Sequence, residues 1–273
     1  MESKVVVITG ASSGIGAALA RQLGKEGHRL VLAARREGPL NAVAAASGQA
    51  KALVTDVTVR ADVEQLRVEA IKAFGQIDVW VNNAGRGIGK RVLELSDDDF
   101  DQMMSVNVKS ALYGIQAVVP HFLHRGEGHL INVSSFLGRV PLASYRSAYN
   151  AAKAALNSLT ANLRMDLAAS HPNVHVSIVM PGPVSTEFSG SSLHGTPQLS
   201  PARMVASQTA EEVAEVIAGL IEQPRPEVFT SPTLKSMAKK YYEDIPGFEA
   251  GMGASSLSAP DLAGLAERMK NRQ

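Results

Sequence analysis

Tyr149 and Lys153 are the two side chains of this sequence whose types and spacing best suit proton chemistry. They lie four residues apart in the segment YNAAK, so on a helix they would share one face, about one turn apart. A phenol with a pKa of about 10 is a poor base at neutral pH, but a neighbouring ammonium favours the phenolate and lowers that pKa. The pair therefore predicts acid–base catalysis, with chance placement on an amphipathic helix as the alternative.

Glycines dominate the segment TGASSGIG, residues 9–16, which joins a β-branched run to a helical pattern. Gly10, Gly14 and Gly16 allow a tight turn and a close approach of the backbone to a ligand. The helix that follows would direct its free N–H groups and positive dipole end at a pyrophosphate. We expect this turn to bind a dinucleotide. A strand-to-helix turn without a ligand is the alternative.

The end of the second predicted strand, LAARRE, indicates which dinucleotide is bound. An acidic residue usually binds the ribose hydroxyls at this point, but here Ala34 is followed by Arg35 and Arg36. Guanidinium groups bind a 2′-phosphate bidentately, so the sequence favours NADP over NAD. A pair of solvated arginines is the alternative. Asp56, after the third strand, is placed to accept a hydrogen bond from the adenine amino group.

Strands and helices alternate along most of the chain. We predict strands at residues 5–9, 29–35, 52–55, 77–83, 129–135, 174–180 and 227–230, and helices at 15–26, 40–46, 61–74, 96–120, 147–169 and 210–222. This order implies right-handed βαβ units and a doubly wound parallel sheet in a single α/β domain. The turns described above then lie at the carboxyl ends of strands, where such sheets bind ligands.

Composition excludes several functional classes. The 273 residues include 27 Lys and Arg against 26 Asp and Glu, for a net charge of +1. This balance gives no general attraction to nucleic acid or to an anionic membrane. Cysteine is absent, which excludes disulfides, thiolate metal sites and a cysteine nucleophile. With no signal peptide or membrane-spanning run in the sequence, we expect a cytoplasmic protein.

Two groups of potential metal ligands have simpler interpretations. Ser96 followed by three aspartates predicts a capped helix N-terminus. Pro120 and the glycine-containing loop 126–128 deny a rigid spacing to three histidines, which we expect at the surface: His121, His124 and His129. We therefore predict no metal site.

Three further segments are less specific. A basic stretch after NNAG predicts a solvated loop, with binding of an anionic substrate tail as the alternative: Arg86, Lys90 and Arg91. Residues 185–206 combine Gly, Ser and Pro with the apolar Phe188, Leu193, Leu199 and Met204, which suits a lid over a neutral, apolar substrate or a surface loop. From residue 231 the composition changes. Residues 231–273 are predicted to form a C-terminal extension, with helices at 235–243 and 260–270, that packs on the core or on a neighbouring subunit, with partial mobility as the alternative.

Six motifs occur in one order: TGASSGIG, NNAG, MSVNV, INVSSFLG, YNAAK and VMPGPVST. In this respect the sequence resembles the short-chain dehydrogenase/reductase family over about residues 4 to 230. The resemblance implies a Rossmann-like, three-layer α/β/α catalytic domain at residues 1–230. It also implies an oxidoreductase that interconverts a ketone or aldehyde with an alcohol, and the arginines after the second strand make NADP the expected cofactor.

The resemblance also implies roles for individual residues. Tyr149 is the acid/base, and Lys153 lowers its pKa and binds the nicotinamide ribose. Ser135 orients the substrate, and Asn107 supports a proton relay. The spacing from SSxxG to the tyrosine is one residue longer than is commonest in the family. Counting back from the tyrosine would place Phe136 at the serine position, so we use the motif, with Ser134 as the second choice.

The family's cofactor-binding positions correspond to residues from several loops. These are Gly10, Ser12, Ser13, Gly14, Ile15, Gly16, Arg35, Arg36, Asp56, Val57, Asn83, Ala84, Gly85, Tyr149, Lys153, Pro181, Gly182, Val184 and Thr186. Thr186 corresponds to a residue that holds the nicotinamide carboxamide. The resemblance further suggests a homodimer or homotetramer, formed through the long helices at 98–119 and 147–169. Two rival functions are a regulator that binds NADPH without turnover and a lyase or epimerase without net redox change.

Overall fold

A seven-stranded parallel sheet forms the centre of the protein. The computed structural model describes residues 2–188, 190, 192–195 and 206–251. The strands, in spatial order β3-β2-β1-β4-β5-β6-β7, pair in parallel throughout. Their bounds are β1 Val5–Thr9, β2 Arg29–Ala34, β3 Ala50–Val54, β4 Val79–Asn82, β5 Gly128–Val133, β6 Val174–Met180 and β7 Glu227–Phe229. Each predicted strand is present, with bounds that differ by at most two residues at either end.

Helices cover both faces of the sheet. They are α1 Gly14–Lys25, α2 Glu37–Ala45, α3 Arg60–Phe74, α4 Asp97–Met104, α5 Ser110–Arg125, α6 Ser147–Ala168, α7 Ala210–Glu222, α8 Pro232–Glu243 and α9 Ile245–Gly251. Leu19 of α1 and Ile217 of α7 belong to one apolar cluster, and Leu66 of α3 and Phe122 of α5 belong to the other. Since the strands are buried on both faces, they read as continuous apolar runs. The Rossmann-like, three-layer, single-domain prediction is confirmed.

The single helix predicted from Ser96 to Pro120 is wrong in two respects. A π-helical segment, Ser105–Lys109, separates α4 from α5. Helix α5 also continues through Pro120 to Arg125. It ends at Gly126, whose φ of 79° is left-handed, so the glycine rather than the proline terminates the helix.

The aspartates after Ser96 cap helix α4, as predicted. The Ser96 hydroxyl accepts from Asp99 N at 3.2 Å, and the Asp99 carboxylate accepts from Ser96 N at 3.0 Å. Within residues 2–188, 190, 192–195 and 206–251, no three His, Asp or Glu side chains are grouped so that they could hold a metal ion.

The histidines are not all at the surface. His129 is buried at the start of β5, and its Nε2 lies 2.8 Å from Ser177 Oγ. Burial lowers the pKa of His129 to about 3, so the ring is neutral and part of the sheet's core. His121 accepts from Ile77 N at 3.1 Å, and His124 is exposed. The sequence prediction failed for His129 because a strand position buried on both faces was not recognised.

The first part of the C-terminal extension packs on the core. Helix α8 begins at Pro232, after the Ser231 cap, three residues earlier than predicted. Its buried residues Leu234 and Tyr241 belong to one apolar cluster with Phe136 and Val140. The predicted helix at 260–270 lies outside the described residues. Among the helices that the structure describes, none is long and apolar enough to cross a membrane.

Candidate active site

The carboxyl ends of β1, β4, β5 and β6 lie at one edge of the sheet, and helix α6 contributes Tyr149 and Lys153 beside them. Both side chains are buried. Lys153 Nζ donates to the carbonyl of Val133, the last residue of β5, at 2.9 Å. It lies 5.7 Å from the centroid of the Tyr149 ring. The predicted helical spacing therefore places phenol and ammonium together.

Of the three candidates at the end of β5, Ser135 is the one that faces Tyr149. Hydrogen bonding with Ser135 opposes the upward shift of the Tyr149 pKa. Ser134 instead donates to Asn157 Oδ1 at 2.6 Å. Phe136 is buried in the apolar cluster with α8. The local geometry therefore favours the choice made from the SSxxG motif.

The electrostatics differ from the expectation that Lys153 lowers the pKa of Tyr149. Burial raises the pKa of Tyr149, and hydrogen bonding with Ser135 and the charge of Arg146 only partly oppose this shift. Burial also lowers the pKa of Lys153 to about 8. Desolvation dominates because both groups lie in the interior. Sequence reasoning missed Arg146, although its position three residues before Tyr149, at the start of the same helix, was a usable signal.

Asn107 lies in the π-helical segment, and its side chain anchors the chain after NNAG. Its Nδ2 donates to Arg86 O at 3.0 Å, and its Oδ1 accepts from Arg86 N at 3.1 Å. A Cβ at Gly85 would lie 2.9 Å from Asn107 Oδ1 and 3.5 Å from Lys153 Nζ. The backbone of Gly85 thus lies directly beside both the Asn107 and the Lys153 side chains, where a larger residue would not fit. π-Helical turns often occur at functional sites.

The glycine turn combines internal packing with an open helix end. A Cβ at Gly10 would lie 2.8 Å from Ala84 Cα, and one at Gly16 would lie 2.5 Å from Gly10 O. These two glycines therefore permit the turn to pack within itself and against NNAG. Gly14 has a φ of 54°, and a Cβ there would lie 3.3 Å from the Thr186 side chain.

A dinucleotide's phosphates suit this turn. Ser13, the N-cap of α1, makes no side-chain hydrogen bond to the helix, so its hydroxyl leaves the first N–H groups of α1 uncapped. These donors and the helix dipole suit a pyrophosphate. Ser12, Ile15, Asn83 and the Pro181–Gly182 turn border the same edge, and Val184 packs against the adjoining apolar cluster.

The two arginines after β2 have different surroundings. Arg36 donates to Ser13 Oγ at 2.8 Å and to Ser12 Oγ at 3.3 Å, and it lies 3.5 Å from Glu187. Arg35 is exposed. Burial raises the pKa of Asp56, but hydrogen bonds from Thr58 and the charge of Arg35 outweigh this and lower it. Val57 is buried.

The described part of the predicted lid comprises residues 185–188, 190, 192–195 and 206, and its Phe188 covers Tyr149. The Phe188 ring meets the Tyr149 ring edge-on, with centroids 5.7 Å apart. Leu193 N donates to Gly87 O at 2.9 Å. Leu199 and Met204 lie outside the described residues. The lid interpretation thus has a physical basis in contacts with the tyrosine.

The prediction of a solvated loop is wrong for Lys90. Its ammonium lies 2.7 Å from the buried carboxylate of Asp99, whose other oxygen lies 2.6 Å from His194 Nε2. Arg91 donates to Ser144 Oγ at 3.1 Å. This part of the basic stretch therefore joins the lid to helix α4.

Comparison with known proteins agrees with this geometry. The sequence profile described as short chain dehydrogenase matches residues 4–196. An uncharacterized oxidoreductase of Staphylococcus epidermidis is 37% identical over 187 residues, covering 68% of this chain and 80% of the relative. A short-chain dehydrogenase/reductase from Burkholderia phymatum, solved with NAD, superposes with a TM-score of 0.80 at 30% identity, covering 90% of this chain and 95% of the other.

A second solved structure is the alcohol dehydrogenase of the archaeon Thermococcus sibiricus, complexed with 5-hydroxy-NADP. It has a TM-score of 0.73 and 30% identity, and the match covers 84% of this chain and 96% of the other. The matched profile, the motif order and the sheet topology all agree. The chain therefore belongs to the short-chain dehydrogenase family, whose members are oxidoreductases that bind a nicotinamide cofactor.

Proposed function

We propose that this protein is an NADP(H)-dependent oxidoreductase that interconverts a ketone or aldehyde with an alcohol. The observation that carries the proposal is the buried Tyr149 phenol, with Ser135 on one side and the Lys153 ammonium 5.7 Å from its ring. This group lies at the sheet edge where the glycine turn ends. A regulator without turnover would have no need for a buried, costly ammonium beside a phenol.

Each side chain has a defined task in this proposal. When bound, the nicotinamide cofactor supplies or accepts a hydride at the substrate carbon. Tyr149 Oη gives a proton to the substrate oxygen during reduction and takes it back during oxidation. Ser135 Oγ hydrogen-bonds that oxygen and fixes its position. Lys153 holds the ribose and stabilises the phenolate, and Asn107 supports return of the proton from solvent. Phe188 excludes water from the phenol.

The activity test is NADPH oxidation with a panel of ketones and aldehydes, with NADH in parallel. We expect turnover in which one cofactor is consumed for each carbonyl reduced. Tyr149→Phe should lower kcat by at least about 1000-fold, because the proton donor is lost, while NADPH still binds. Consumption of substrate without net loss of NADPH would instead indicate a lyase or epimerase, and Tyr149→Phe with full activity would exclude our proton donor.

The preference for NADP depends on the arginines after β2. Ala34 occupies the position at which an acidic residue would bind the ribose hydroxyls. Arg36 and the Ser12 and Ser13 hydroxyls lie together and form a set of hydrogen-bond donors that suits a 2′-phosphate. The similar solved structures carry NAD in one case and an NADP derivative in the other, so the preference rests on the arginines after β2 and not on the family.

Titration of each reduced dinucleotide into the protein tests this preference. Arg36→Ala should weaken NADPH binding by about tenfold or more and leave NADH binding nearly unchanged, because only NADPH carries the phosphate. Arg35→Ala should act in the same direction. Arg21→Ala, an exposed arginine on α1, is the control. Equal losses for both dinucleotides would remove the phosphate assignment.

A further inference from the structure

A guanidinium without a carboxylate partner lies beside the proposed proton donor. Arg146 is the N-cap of α6, three residues before Tyr149, and is partly buried. Its guanidinium makes no hydrogen bond or ion pair with any residue that the structure describes. Its aromatic neighbour is the Tyr145 ring, 5.9 Å from Cζ to centroid, which is near the limit of a cation–π contact.

The Arg146 guanidinium lies where the lid packs against the loop after NNAG, and this contact region is called the wall below. A Cβ built on Gly87 would lie 3.3 Å from Arg146 Nη1, 3.1 Å from Phe188 Cε1 and 2.6 Å from Ser192 Oγ. These three groups therefore converge on Gly87. Phe188 in turn contacts the Tyr149 ring. The charge of Arg146 reaches the phenol, since it opposes the upward shift of the Tyr149 pKa.

The acidic groups described around this wall have other partners. Asp99 is paired with Lys90 and His194. Glu94 accepts from Arg91 N at 2.8 Å in a local capping box. Arg146 thus leaves a positive charge beside the phenol that no described side chain compensates. A partly desolvated charge without a partner is unfavourable, and a planar guanidinium binds a carboxylate through two parallel hydrogen bonds.

We infer that Arg146 binds a carboxylate of the substrate, so that the reacting compound is an oxo acid or the corresponding hydroxy acid. This inference rests on the proposed function and specifies its substrate class. The carbonyl would lie at Tyr149 and Ser135, the carboxylate at Arg146, and the carbon chain between them against Phe188 and Leu193. It differs from the neutral substrate that the apolar lid residues alone suggested.

The experiment compares 2-, 3- and 4-oxo acids with their methyl esters, because the number of carbons between the two groups is the unknown. With NADPH, the wild-type protein should reduce the best acid with a kcat/KM at least tenfold above that of its ester. Arg146→Gln should abolish this preference by raising KM for the acid while KM for the ester stays unchanged; the effect of the lost charge on the Tyr149 pKa changes kcat for both substrates by the same factor. Arg146→Lys should restore part of the preference, and Arg21→Gln serves as the charge-matched control.

Arg146 acting only on the pKa of Tyr149 would give a different result. Loss of the cation would then raise that pKa, move the basic limb of the pH–kcat profile to higher pH and reduce kcat for acid and ester alike, with KM for the acid unchanged. That outcome would overturn the inference. Equal reduction of acids and esters by the wild type would also overturn it, while the proposed oxidoreductase function would stand.

A binding measurement separates this inference from failure of the proposed function. Pentanoate, which has no carbonyl, is titrated calorimetrically into the NADPH-saturated protein. Binding at least tenfold tighter to the wild type than to Arg146→Gln would support the carboxylate site, whether or not a carbonyl substrate turns over. Equal affinity for the two proteins would overturn it.

Discussion

Lys153 is a buried cation whose position suits the proposed reaction and opposes folding. Burial lowers its pKa from 10.5 to about 8, and its described hydrogen-bond acceptor is the Val133 carbonyl. At neutral pH the side chain therefore carries a charge that water would solvate better than the protein does. Functional sites commonly retain such groups at the expense of stability.

Lys153→Met should make the protein more stable and inactive. Methionine has a similar length without the charge, so at pH 7 the free energy of unfolding should rise by about 2 kcal/mol, after allowance for the lost hydrogen bond. Between about pH 8 and 10.5, Lys153 holds fewer protons in the folded state than in the unfolded state. The free energy of unfolding of the wild type should therefore rise over that range, and the advantage of Lys153→Met should shrink.

Urea unfolding at pH 7 and pH 10 measures both effects of Lys153→Met. Lys235→Met, at an exposed position on α8, should change the free energy of unfolding by less than about 0.5 kcal/mol. A destabilised Lys153→Met protein at pH 7 would show that the ammonium supports the fold.

Residue types and helical spacing were sufficient to identify Tyr149 and Lys153, but not to choose between Ser134 and Ser135. Ser135 is extended, with φ of −157° and ψ of 152°, so neighbouring side chains point in opposite directions. Whether the Ser134 or the Ser135 side chain faces Tyr149 depends on how α6 packs against the end of β5. The position of Arg146 before Tyr149 was a local signal, but its placement beside Gly87 and Phe188 comes from contacts distant in sequence.

At the scale of elements, Asp99 connects α4, the loop after β4 and the lid. Its carboxylate accepts hydrogen bonds from Ser96 and Lys90 and pairs with His194. Burial alone would raise the pKa of Asp99, but the hydrogen bonds from Lys90, Ser96 and His194 outweigh burial and lower it well below its ordinary value of 3.8. The lid therefore depends on a charge that persists in mild acid.

Asp99→Asn should lower the free energy of unfolding by about 2–4 kcal/mol at pH 7, because it leaves Lys90 without its partner in a partly buried position. A carboxylate with a lowered folded pKa contributes its full stability above the unfolded value of about 4. That contribution is lost as pH falls below 4. Thermal unfolding from pH 7 to pH 3 should therefore show the wild type and the variant converging only at the acidic end.

Asp98→Asn provides a matched control for Asp99→Asn. Asp98 lies on the same helix turn and is exposed, with Gln102 as its hydrogen-bond partner at 2.7 Å. We expect its substitution to change the melting temperature little at any pH. Equal effects of the two substitutions would mean that helix capping charge, and not the connection to Lys90 and His194, accounts for the stability.

Elements with local signals were predicted well, and those set by distant contacts were not. Strands β1 and β6 match the prediction at both ends because β-branched runs are bounded there by polar or glycine-rich turns. The π-helical segment was not predicted, because Asn107 reaches back to Arg86, a contact that sequence spacing does not reveal. Pro120 misled the prediction because a helix can continue through proline when packing compensates.

At the scale of the whole molecule, alternation of strands and helices determined the sheet, its layers and the edge that carries the site. The packing of the C-terminal extension required tertiary contacts. Leu234 of α8 lies 3.1 Å from the position of a Cβ on Gly182, so α8 supports the turn after β6 as well as the loop after Ser135. Composition alone left open whether this segment contacts its own core.

Assembly is the remaining prediction at this scale, and the resemblance to the family implies a homodimer or homotetramer through α5, α6 and adjoining α4. Phe100 on α4 and Met165 on α6 are 42% and 67% exposed, and pairing of these helices with those of a partner would bury both side chains. We expect light scattering to give a multiple of 28.9 kDa at micromolar concentration.

Met165→Lys should shift the mass toward the monomer, because an interface core tolerates an unpaired ammonium poorly. Val54→Lys, on the exposed edge strand β3, should leave the mass unchanged, since lysine is well tolerated there. A wild-type mass of one chain would contradict the assembly, and dissociation by both variants would show that added charge, and not this helix face, controls it.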